Sequence, residues 1–195
     1  MLKYFILFFS LITNSQELII GSEKISPGIV FIFEGAIKDE ILPLSSNLNA
    51  NETNVHIEAR VNWDISNLPD GTPPGGFIPY LKIHSKIKNQ RTGLKIFVDL
   101  KPHINLVDNF HYARNISLPG LTNDLYEVEF YIIPPSSHEL SFHKDWFNKY
   151  GAILINDYSY KYRNVNFLEI SNAARKGIKK ALSLFRIILN KMVWT

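Results

Sequence analysis

Ten residues, Val55-His-Ile-Glu-Ala-Arg-Val-Asn-Trp-Asp64, alternate without a break: Val55, Ile57, Ala59, Val61 and Trp63 fall on one side, and His56, Glu58, Arg60, Asn62 and Asp64 on the other. Period two belongs to a β-strand with one apolar face, so this stretch commits its part of the chain to a sheet. Other runs obey the same rule. Gly28–Glu34 is a near-continuous apolar strand ending in Glu34, Leu81–Ile87 and Leu94–Leu100 flank a hairpin turn at Asn89–Gly93, and Leu125–Ile133 alternates again. Residues 153–167, rich in tyrosine, predict a last irregular strand pair. Thirteen Phe, nine Tyr and ten Pro among 195 residues suit such a protein of short strands and frequent turns. The fold expected is all-β, an antiparallel β-sandwich, spanning residues 28–167.

Two segments lie outside that pattern. Residues 1–15 carry one positive charge, an apolar run and then Thr13-Asn14-Ser15, the outline of a secretory signal peptide, and so predict export. From Ser171 apolar residues recur at three and four, with Arg175, Lys176, Lys179, Arg186 and Lys191 mostly elsewhere. Residues 171–195 therefore read as a basic amphipathic C-terminal helix with Ser171 as its cap, docked on its own domain or lying on a membrane surface. The segment Leu42–Glu52 reads as a loop.

Charge and cysteine content narrow the function. A formal net charge of +3 gives no reason for a nucleic-acid groove, and no nucleic-acid partner is expected. With no cysteine, thiolate metal sites and thiol catalysis are excluded, and any metal ligand must be His, Asp or Glu.

Six side chains stand out as such ligands. His56 and Glu58 share one strand face, an imidazole and a carboxylate offered together. His103 and His111 would lie roughly 26 Å apart on one straight strand. They share a site only if the chain turns back at Asp108-Asn109, two residues that tolerate turn geometry. His138 and His143 follow the Pro134-Pro135 turn in a loop running into Asp145-Trp146, and Glu34 is an outer candidate. His84, between Lys82 and Lys86, reads as a surface residue. Imidazole plus carboxylate suits copper, zinc, iron or nickel.

Four segments, Thr53–Ala59, Gly75–Lys82, Asp108–Tyr112 and Ile133–Ser136 followed by His143, resemble in order the motifs of the bacterial periplasmic iron-transport family. The resemblance runs from about Gly28 to Phe167. It implies an immunoglobulin-like β-sandwich, exported to the periplasm and commonly a homodimer, that binds copper and assists iron uptake beside an inner-membrane iron permease. It places metal ligands at His56, Glu58, His111 and His143, with Glu34 as the early strand glutamate. The family's methionine before the His-Tyr pair is missing here, since only Met1 and Met192 exist, and His103 is the nearby replacement. An imidazole in place of a thioether hardens the site and weakens any preference for Cu(I). The expected ion is copper or iron, with zinc possible, and the protein is expected to bind metal rather than catalyse. Two other readings compete: a non-haem iron oxygenase using His-x-Glu and a distant His as a facial triad, and a secreted β-sandwich interaction module that binds no metal.

Overall fold

Alternating apolar residues become strands throughout the computed structural model, which describes residues 17–173. In chain order they are β1 Glu17–Ile25, β2 Ile29–Ala36, β3 Val55–Trp63, β4 Lys82–Asn89, β5 Lys95–Asn105, β6 Asn109–Ile116, β7 Leu125–Ile133 and β8 Tyr158–Asn166. Two short helices interrupt them, α1 Lys144–Tyr150 and α2 Leu168–Asn172. All the strand pairings are antiparallel, in the spatial order β1-β2-β3-β6-β5-β4-β7-β8.

The long strand β5 joins two walls into one curled sheet. Its first half, Lys95–Leu100, pairs with β4, and its second half, Lys101–Asn105, pairs with β6. Pro102, which has no N–H to donate, stands just past the switch, where the ladder to β4 has ended. The sandwich expected from sequence is thus a nearly closed, barrel-like sheet. At its open seam β1 comes against β8 through side chains: a Cβ on Gly21 would lie 2.1 Å from the Tyr162 ring, so only glycine lets the two strands approach this closely.

The core fills the space between the walls. Phe31, Phe33, Ile57 and Val61 from β2 and β3 meet Ile83, Ile87, Val128, Phe130 and Ile132 from β4 and β7. The Phe33 and Phe130 rings stack with centroids 4.2 Å apart. Each such fully buried side chain contributes about 1.5–3 kcal/mol, which is what holds the walls together. Tyr112 pins β6 from the core side, its hydroxyl donating to the Ile78 carbonyl at 2.8 Å and accepting from the Leu81 N–H at 3.1 Å.

Several expectations change. Residues 153–167 form one strand rather than a pair, since Tyr158, Tyr160 and Tyr162 alternate along β8 while the segment before it is loop. Asp145-Trp146 lies in α1 and not in a loop. Ser171 does not cap a helix: it sits inside α2 and its hydroxyl donates to the Leu168 carbonyl at 2.9 Å. The signal peptide expected at residues 1–15, and all but the first three residues of the helix expected over 171–195, lie outside the described residues.

Candidate metal centre

The turn at Asp108-Asn109 folds β5 back on β6 and sets His103 directly opposite His111. Its chemistry is local. Asn105 Oδ1 accepts from the backbone N–H of Val107 and Asp108, Asn105 Nδ2 donates to Asp108 Oδ2 at 2.9 Å, and Asn109 takes the left-handed conformation with φ 60°. Asparagine is among the few non-glycine residues that adopt it at low cost.

On the other side of β6 runs β3, paired so that His56 faces Asn115 and Glu58 faces Ala113. His56 of β3, His103 of β5 and His111 of β6 converge, and one ring nitrogen from each lies within 4.8 Å of the others. The His56 ring lies parallel to that of His103 at 5.4 Å and edge-on to that of His111 at 6.2 Å. An ion holding imidazoles at about 2.0–2.1 Å needs ligand nitrogens no more than about 4 Å apart, so the three rings must draw together to share one ion.

Although they lie on the polar face of β3, His56 and Glu58 are only 5% and 4% exposed. Beside His56 stands Asn115, itself held by the carbonyls of Asp39 and Leu48, and Glu58 lies between Glu34 and Ala113 on the two neighbouring strands. Burial fixes the electrostatics. It pushes the His56 and His103 imidazoles down to about 4 and lowers His111 as well, so all three are neutral, with lone pairs available, at neutral pH. Burial and the nearby Glu34 carboxylate push Glu58 up to about 8. His56 Nε2 and Glu58 Oε1 are 3.6 Å apart, and with a neutral ring and a protonated carboxyl this contact is no ion pair.

Three observations fit the cluster to a metal ion. The donors are neutral imidazoles, the Nδ1 of His103 is buried with no hydrogen-bond partner, and a carboxyl group that gains its charge when it loses a proton stands alongside.

The remaining predicted residues lie apart from the triad in the single chain. Glu34, fully buried on β2 opposite Glu58, accepts a 2.5 Å hydrogen bond from Arg60 Nη2 and has its second oxygen unpartnered. His143 is exposed at the N-terminal end of α1, in an apolar recess of about 370 Å³ with Trp63, Phe142 and Trp146. His138 is exposed. His84 is a surface residue as read, its Nδ1 2.6 Å from Asp99 Oδ1. Sequence reasoning missed two supporting residues. Arg60 shares the period-two face of His56 and Glu58, and Asn115 shares that of His111; parity along the strand was the available signal.

The fold and the triad define an all-β metal-binding protein. The chain belongs to the Fe2+ transport protein family, whose pattern matches residues 14–168. A copper-bound variant of Campylobacter jejuni P19 is 26% identical, covers 76% of this chain and 96% of its own, and superposes with a TM-score of 0.63. Copper-reconstituted P19 from the same organism is 25% identical over 76% of this chain and 94% of its own, with a TM-score of 0.62. A copper-bound variant of FetP from uropathogenic Escherichia coli, at 24% identity and a TM-score of 0.61, covers 77% of this chain and 99% of its own and speaks for the fold alone. No curated protein matches the chain.

Proposed function

We propose that this chain is an exported, periplasmic metal-binding protein that assists iron acquisition, taking copper or another divalent ion at the triad of His56, His103 and His111. The observation that carries the reading is the meeting of three neutral imidazoles, from β3, β5 and β6, with ligand nitrogens within 4.8 Å. Glu58 is the nearest carboxyl and joins the ion by giving up its proton; His143 and Glu34 are further candidates from the family resemblance. His103 stands for the missing methionine, and the all-nitrogen triad favours Cu(II) or Zn(II) over Cu(I). The copper-bound neighbours support copper as the ion. The protein binds and hands over metal rather than turning over a substrate, works as a homodimer, and serves an inner-membrane iron permease.

Elemental analysis of the purified chain after incubation with Cu(II), Zn(II) and Fe(II), with sedimentation to fix the oligomer, tests this. One equivalent of copper per chain, lost in His56→Ala and His111→Ala, is expected. A chain that holds no metal, or holds it unchanged in both variants, refutes the reading.

A further inference from the structure

His56 and His111 each present the site with one ring nitrogen already committed. At His111 the Nδ1 lies 3.1 Å from the backbone carbonyl of Asn109. A carbonyl only accepts, so Nδ1 carries the hydrogen and Nε2 keeps its lone pair. At His56 the partner is a side chain: Nδ1 lies 2.8 Å from Asn115 Oδ1, with both residues buried. A carboxamide can turn either end toward a ring, and the two orientations select opposite tautomers.

Asn115 is not free to turn. Its Nδ2 donates to the carbonyls of Asp39 at 2.8 Å and Leu48 at 2.9 Å. A reversed amide would set its oxygen against two carbonyl oxygens and lose both of those hydrogen bonds, keeping only a bond to the other tautomer of His56. The held oxygen therefore admits only the Nδ1–H form of His56, whose bare Nε2 lies on the Glu58 side, 3.6 Å from Oε1. His103 has no comparable partner at Nδ1.

We infer that Asn115 is a positioning residue of the metal centre: its carboxamide, gripped by two carbonyls of the 37–50 segment, turns the oxygen toward the ring that fixes the tautomer of His56. The inference rests on the reading of the triad as a metal site. Partners of this kind, at the nitrogen remote from the ion, hold the ring and the tautomer that the ion needs.

Imidazole 15N–1H correlation spectra of the metal-free full chain, together with Cu(II) and Zn(II) competition against a chelator, test it in wild type, Asn115→Ala and Asn115→Asp. Wild type should show His56 as Nδ1–H. Asn115→Ala should mix the tautomers and bind both ions 10–100-fold more weakly. Asn115→Asp keeps the oxygen for the ring while losing its grip on the 37–50 carbonyls, and should hold the tautomer and bind within about tenfold of wild type. His56 found as Nε2–H in wild type, or Asn115→Ala with wild-type tautomer and affinity, overturns the inference. Should Asn115→Ala fail to fold, loss of the Nδ1–H form in Asn115→Asp overturns it equally. A wild type that shows the tautomer but binds neither ion refutes the metal reading and leaves the tautomer assignment standing.

Discussion

Arg60→Met removes the cation beside the deepest carboxyl group near the site, and the structure sets what that costs. Glu34 is 0% exposed and takes its 2.5 Å hydrogen bond from Arg60 Nη2, which also lies 3.5 Å from Glu17 Oε2. Methionine keeps the apolar stem and deletes the charge. Glu34 then has two courses. Left ionised and unpaired in the interior, it costs about 3–5 kcal/mol. Taking up a proton at pH 7, about 2.5 units above its ordinary value of 4.5, costs about 3.4 kcal/mol at 1.36 per unit, and this cheaper route caps the loss. Burial already raises Glu34 in the native protein against the pull of Arg60, so part of that cost is present before the substitution. A loss of about 2–3 kcal/mol at pH 7 is expected. The sign follows from linkage: the variant's folded pKa stands above its unfolded one, so the penalty is absent below about pH 4.5 and grows by about 1.4 kcal/mol per unit as pH rises, until the folded group ionises. Urea unfolding of the metal-free chain, followed by circular dichroism at pH 5.5 and pH 7, measures it, with Arg60→Met/Glu34→Gln as the double variant that should regain most of the loss. A single variant within 1 kcal/mol of wild type at pH 7, or equally destabilised at both pH values, refutes the argument.

Three further outcomes are expected. His111→Ala should lower Cu(II) affinity by well over the tenfold of a supporting residue, whereas His84→Ala, on the surface beside Asp99, should leave the chelator competition curve unchanged. His103→Met should move the preference toward Cu(I), read as a positive shift of the copper potential; an unmoved potential with the fold intact removes His103 from the ligand set. Asp124 accepts from Arg91 Nε and Nη2 and from Asn89 Nδ2, which hold its carboxyl well below the usual carboxylate range. A depressed carboxyl adds stability that is full above its unfolded pKa and drains away as pH falls. Asp124→Asn should therefore flatten the loss of stability below about pH 4, seen in thermal melts at stepped pH.

How far the chain could be read residue by residue depended on what each feature obeys. Strand β3 was legible because a single face carries every apolar residue, and the His103–His111 hairpin because Asp108 and Asn109 permit the turn that pairs them. Strand β1 was missed: Leu18 and Ile20 make too short a run, after the longer apolar run of residues 4–12, to stand out. Helix α1 has seven residues, several of them aromatic, too few for a helical period. The surroundings of His56 were hidden because they involve Asn115 on a distant strand, tied in turn to the 37–50 segment, which has no periodicity. The pairing of Arg60 with Glu34 depends on the register of β2 against β3, which no single strand discloses.

Strand β5 gives its first half to β4 and its second to β6, so one continuous stretch of backbone reports on two separate openings. The amide hydrogens of Lys95–Leu100 that point at β4 exchange with solvent when β5 parts from β4, while those of the Lys101–Asn105 half that point at β6 exchange when β5 parts from β6. An ion that ties His103 to His56 spans that second opening and leaves the first alone. Protection should thus rise along only the far half of one strand, with Pro102, the residue that has no amide hydrogen, close to the boundary.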